Sequence, residues 1–351
     1  MRHTVNKAEK QAEDGSLTYI DGLGFISVNN RLRYLNSLRH ASSFFCCMIL
    51  VYFLATQALV RPFIYLFYYL GMNITINLST GWIEMSDYIN ASVLFSVHLV
   101  VVLLILALTA LVYRTAFLNA PIFRPAQKGV MMIGVPVIIA FGLLGEIVGM
   151  MLGEFTETFG YVFSTHTSEK SLSLDVFFLQ VILTLVISLL FEVFLRGMAL
   201  TVLRRYGDGF AIFACAILSV LMAKDLQEAA SVFVFSLCAG YFVIRGGSLH
   251  TALFARGGCD LIRSLFHFVR NMLEPSLAEV ICLVSCVLIL AIAFLCCIHF
   301  IRVDQNAFRL IHPNDHTTNR LKFANFCSTF FFFVLLFLLL IRVFESVQII
   351  G

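Results

Sequence analysis

Repeated runs of about twenty apolar residues govern what this sequence can fold into, because a helix of that length crosses the hydrocarbon of a bilayer. Such runs cover 43–60, 92–113, 130–152, 175–195, 210–223, 231–244, 277–301 and 323–341, two of them short, and 62–72 reads as an interfacial stretch beside the first. Strands of a membrane barrel would alternate in polarity over segments of about ten residues, and these runs are continuous. In lipid only helices and closed barrels satisfy their own backbone polar groups, so the sequence predicts an all-α, polytopic transmembrane helix bundle. Composition agrees: 60% of the 351 residues are hydrophobic and 13% charged, with a mean hydropathy of +0.92, whereas a soluble domain carries about 25% charged residues. The stretch 248–268 is more polar, holding Arg256, Asp260, Arg263 and His267. The chain has nine spans if it crosses and eight if it does not.

Lysine and arginine placement tests that count, since cytoplasmic loops carry the excess. With the amino terminus inside and nine crossings, 16 Lys/Arg fall on the inner side and six on the outer, with Arg196 and Arg256 left within the membrane. The split predicts a cytoplasmic amino terminus and an outside carboxyl terminus, and it favours 248–268 as a crossing. The expected division is a cytoplasmic tail at 1–42, helices and outer loops at 43–172, a core at 173–270 and a final set of helices at 271–351. Residues 1–42 are polar, with no apolar stretch ahead of a small-residue cleavage site, and are expected to stay in the mature chain. The net charge of +3 is dispersed between apolar runs, which points to no nucleic-acid partner. Most of the ten cysteines lie inside apolar runs without CxxC spacing and read as reduced core residues. Three sequons, at Asn73, Asn77 and Asn90, carry little weight by themselves.

Charge inside the apolar runs is the unusual feature. Each ionised side chain costs about 2.5–3.5 kcal/mol at the centre of a span on insertion scales. Nearly all of it lies between 175 and 265: Glu192, Arg196, Lys224, Asp225, Arg256 and Asp260. Glu192 and Arg196 are four residues apart, so they share a helix face, and Arg256 and Asp260 repeat the spacing in the opposite order. Lys224 and Asp225 are adjacent, point in different directions and sit where they can snorkel to water. Outside this region, Gly145, Gly149 and Gly153 form a face suited to close helix approach. Glu146 beside them reads as an acid without a partner.

The order of these residues resembles the CPBP or ABI group of intramembrane proteases, which includes the type II CAAX prenyl endopeptidase. That family is marked by Glu-Glu-x-x-x-Arg on one transmembrane helix, Phe-x-x-x-His on the next, and His-x-x-x-Asn or Asp after a Gly-Ser-Leu turn. Here Phe191-Glu192-Val193-Phe194-Leu195-Arg196-Gly197 matches the second Glu, the Arg and the Gly, and Gly247-Ser248-Leu249 precedes Arg256 and Asp260. The resemblance implies a protease scaffold with altered chemistry. Phe191 replaces the Glu taken to activate water, the second-motif histidine falls near Lys224 or Asp225, and Arg256 replaces the third-motif histidine. Asp260 stands where Asn or Asp is expected.

Physical chemistry points the same way. Water activation near neutral pH needs a group that can take a proton, and a guanidinium cannot. Arg256 also puts a fixed positive charge where a cation would sit, so no metal or other cofactor is expected. His250 and His267 are weak substitute bases by position, and Ser248 and Cys259 have no adjacent base in the sequence. The expectation is a CPBP-type membrane protein without proteolysis that binds a membrane peptide, a lipidated chain or a partner membrane protein. Its alternatives are a diverged endopeptidase using Glu192, with Asp260 or Asp225 as helper, and a transporter. The transporter reading is the weaker, because the two halves show no repeat.

Overall fold

A computed structural model describes residues 17–20, 24–77, 82–118, 120–121, 124–125, 127–158, 161–163, 174–223, 226–304, 310 and 317–349. Each expected span falls on helix, although the last, 323–341, is broken at Ser328 and Thr329. After a hairpin of β1 (Leu17–Ile20) and β2 (Gly24–Ser27) come α1 (Val28–Tyr69), a hairpin of β3 (Ile74–Asn77) and β4 (Trp82–Met85), α2 (Asp87–Val112) and α3 (Lys128–Glu157). Strand β5 (Tyr161–Phe163) precedes α4 (Leu174–Glu192), α5 (Asp208–Val220), α6 (Leu226–Gly246), α7 (His250–Met272) and α8 (Pro275–Val303). The chain closes with α9 (Asn319–Cys327), α10 (Phe330–Ser346) and β6 (Val347–Ile349), which pairs antiparallel with β5.

Six helices are long and apolar enough to cross a membrane, and a seventh span forms if α9 and α10, bent by 73° at their break, count as one. The protein is an integral membrane helix bundle. Of the other expected crossings, α5 is short at 13 residues and α7 is too charged to qualify on composition. Helix α1 departs from the sequence expectation in another way. It runs unbroken for 42 residues through Pro62, so 43–60 and 62–72 are not separate elements, and it begins well before residue 43. A proline is tolerated in a lipid-spanning helix because neighbours and local adjustments re-satisfy the freed carbonyl.

Helix α3 lies at the centre, packed most extensively on α6 and also against α7 and α8. Its glycines explain the closeness. A Cβ at Gly145 would stand 2.7 Å from Ser231 Cα, and one at Gly134 would stand 2.8 Å from the Phe242 ring. The expected small-residue face is thus used at Gly145, and Gly134 and Gly142 extend the close approach toward the start of the helix. Helix α4 packs between α2 and α7. Where the helical run that continues α4 ends in a tight turn at Arg204–Tyr206, the buried Lys322 of α9 donates to the Tyr206 carbonyl at 2.6 Å. A cation there complements the negative end of the helix dipole.

Candidate functional site

The α-helical geometry of α4 stops at Glu192. Over Val193–Ala199 the helix widens into a π turn, and the Leu200 amide bonds the Leu195 carbonyl five residues back. Such insertions recur at functional sites. Arg196 donates from Nη1 to Glu192 Oε1 at 2.9 Å, with both side chains buried at 2% and 4% exposure. Its Nη2 donates to Ser236 Oγ on α6. Arg196 also lies 5.7 Å from the centre of the Phe235 ring, and Arg256 of α7 lies 5.5 Å from the centre of the same ring. A ring quadrupole attracts cations at that range.

From Arg256 the charges continue. Its Nε is 3.3 Å from Asp260 Oδ2 but is not aligned as a hydrogen bond. Asp260 accepts a short bond from Ser188 Oγ, one turn before Glu192, and Arg263 Nη1 stands 3.5 Å from its other oxygen. Arg263 then donates to Glu146 Oε1 and, at 2.8 Å, to Ser231 Oγ. Two separate pairs were expected, Glu192 with Arg196 and Arg256 with Asp260. The structure joins them to a third acid and a third base in one chain across α3, α4, α6 and α7. Three carboxylates face three guanidinium groups, so the chain is neutral. One expectation is corrected: Glu146 has a partner, Arg263 of α7.

Beside this chain opens a cavity of about 520 Å³ lined by Glu192, Arg196, Arg256 and Ser188, with an apolar wall that includes Leu94, Leu183 and Phe191. Asp260 stands directly behind, bonded to Ser188 and paired with Arg256. Phe191, at the position of the family's first glutamate, sets its ring against Tyr52 edge to face at 4.8 Å. Lys224 and Asp225 lie outside the described residues. His250 bonds Ser248 at 2.8 Å, exposed His267 bonds Asn271, and Cys259 is buried near the Ile139 carbonyl; none of these lines the cavity. Among the described residues no three His, Cys, Asp or Glu side chains converge closely enough to hold a metal ion.

Among the titratable residues of the cavity, sequence reasoning missed Tyr52, His98 and Glu228. Tyr52 Oη and His98 Nδ1 are 2.8 Å apart. The signal for His98 was available: an imidazole in the middle of the run 92–113 is an intramembrane ionisable group and marks a candidate site by default.

Residues 173–262 match the family described as type II CAAX prenyl endopeptidase Rce1-like. This segment belongs to the CAAX-protease family. No curated protein and no solved structure matches the chain. The CAAX-protease segment runs from the start of α4 into α7 and supplies Glu192, Arg196, Phe235, Arg256 and Asp260. Helices α1, α2 and α3 lie outside it and contribute Tyr52, His98 and Glu146.

Proposed function

We propose that this CAAX-protease-family membrane protein binds a membrane peptide, a lipidated chain or a partner membrane protein in the cavity beside Glu192 without cleaving it. The observation that carries the reading is the pair of fixed cations, Arg196 and Arg256, flanking one Phe235 ring at the cavity wall. A guanidinium takes no proton from water, and Glu192 is already engaged by Arg196. The remaining wall is largely apolar and suits an acyl, prenyl or helical side-chain surface. The test is to reconstitute the purified chain with a prenylated peptide carrying a photocrosslinker. Crosslinking to residues of the cavity without a cleavage product is expected, and a product that disappears in Glu192→Ala would overturn the reading. For orientation, with α5 and α7 counted as crossings to make nine, the 16 to six distribution of Lys/Arg supports an amino terminus in the cytoplasm and a carboxyl terminus outside. Accessibility of single engineered cysteines at the two ends to an impermeant thiol reagent tests it.

A second reading, a diverged endopeptidase, draws support from two features of the same cavity. Glu192 Oε2 is buried without a hydrogen-bond partner, and His98 lines the cavity from outside the CAAX-protease segment. A carboxylate oxygen and an imidazole are the groups a hydrolytic water would need. Under this reading Glu192→Gln and His98→Gln each abolish cleavage of a transmembrane peptide; a Glu192→Gln protein that cleaves as well as the parent would retire it.

A further inference from the structure

A second cavity, of about 370 Å³, lies at the other end of the bundle and is lined by Arg124, Thr201, Arg204, Arg205, Asp208 and Gly247 among others. Three membrane-crossing segments meet there: Val176–Tyr206 and Glu228–Gly246 end beside it, and Lys128–Thr156 begins beside it. The cavity beside Glu192 reaches instead toward the opposite ends of two of these segments, through Gln180 and Glu228. The second cavity therefore sits where apolar span gives way to headgroup.

We propose that this pocket binds a phosphate monoester, carried on the headgroup of an anionic lipid. Its charge balance is the first reason: three guanidinium groups face one carboxylate, leaving an excess of two positive charges. The hydrogen bonding is the second. Arg204 uses Nε on Asp208 at 2.9 Å, and Arg205 uses Nε on the Val202 carbonyl at 2.9 Å, so the terminal nitrogens of both forks remain as donors. Planar forks of this kind suit phosphate oxygens in bidentate geometry. The pocket is also held in shape. Leu249 N donates to the Pro121 carbonyl at 3.2 Å and Ser248 Oγ to the Arg124 carbonyl at 3.1 Å, which staples the Arg124 loop to the turn at Gly247, where φ is +63°. Basic pockets between transmembrane helices at the membrane boundary are the setting in which lipid phosphates collect. The site is independent of the cavity beside Glu192, and its failure would leave the proposed function standing.

Native mass spectrometry of the full chain in detergent tests the proposal, with dioleoyl phosphatidic acid, dioleoyl phosphatidylcholine and glycerol 3-phosphate as probes. Preferential retention of phosphatidic acid over phosphatidylcholine is expected. If each guanidinium adds about 1 kcal/mol near the surface, Arg124→Gln with Arg205→Gln lowers that preference about thirtyfold. Asp208→Asn works in the opposite direction, since it removes the competing carboxylate and should strengthen retention; misfolding cannot mimic that gain. Equal retention of the two lipids, or a preference unchanged in the double variant, overturns the proposal. Glycerol 3-phosphate that competes at the same concentration as phosphatidic acid would assign the phosphate to a soluble ligand, and failure to compete assigns it to the lipid.

Discussion

Helices α7 and α8 are neighbours in sequence and opposites in physics. Helix α7 carries Arg256, Asp260, Arg263 and Arg270 and is too polar to qualify as a span, yet it lies against α3, α4 and α6. Helix α8 is 29 residues long and apolar between Glu279 and His299, with only Ala278, Cys282, Ala293 and Phe300 buried. In a soluble domain the polar helix would sit outside and the apolar one within. Here lipid is the solvent. Apolar side chains gain nothing from leaving it, and ionised groups gain everything from finding partners inside the bundle. The charged face of α7 turns inward because Ser188, Ser231 and Glu146 meet it on other helices.

The sharpest way to break this comparison is to remove one member of its most buried pair. Arg196→Gln takes from Glu192 its hydrogen-bonded cation, and losing one partner of a buried ion pair costs about 3–5 kcal/mol. Replacing both, Glu192→Met with Arg196→Met, removes the unmatched charge and restores most of that stability. Equilibrium unfolding in mixed dodecyl maltoside and dodecyl sulfate micelles measures both. A double variant as unstable as the single would mean that packing around the side chains, rather than charge matching, governs this region.

Smaller is the effect of Ser188→Ala. It strips a hydrogen bond from Asp260, whose remaining partners are Arg256 and Arg263. A buried acceptor that loses one donor costs about 1–3 kcal/mol, and the same unfolding assay reads it. Smaller again is Glu146→Gln, at about 1 kcal/mol. Both partners of that pair are about 29% exposed, and Arg263 keeps Asp260 and Ser231 as partners. A loss from Glu146→Gln as large as that from Arg196→Gln would show that the chain of charges is one cooperative unit instead of a graded series.

How much of this was legible in the sequence follows from the range of each interaction. The Glu192–Arg196 and Arg256–Asp260 pairs were readable because the helical period alone puts residues i and i+4 on one face. The Ser188–Asp260 and Arg263–Glu146 contacts join positions 72 and 117 residues apart, and no local pattern encodes the register between helices. Glu146 therefore read as solitary. The helix through Pro62 was hidden because Arg61-Pro62 interrupts the apolar run, which in water would favour a break. His98 is a single ring in an apolar run, where an imidazole resembles a core residue, and it stands apart from the clustered charges of 175–265. The shared cavity, drawing on α1 and α2 as well as the CAAX-protease segment, is a property of packing and had no sequence signature.

The least effect should come from the lipid-facing side of α8. Leu295 is 65% exposed there, whereas Leu218 of α5 is fully buried. Truncating Leu218 to alanine leaves a cavity and costs about 2–5 kcal/mol. Leu295→Ala instead lets lipid tails close over the missing atoms, and a substitution away from packed features stays within about 0.5 kcal/mol. The two variants delete the same atoms, so the difference between them isolates the surroundings. If Leu295→Ala proved as costly as Leu218→Ala in the micelle assay, the outer face of α8 would have to be covered by protein, and the contrast between the charged helix and its apolar neighbour would no longer rest on lipid contact.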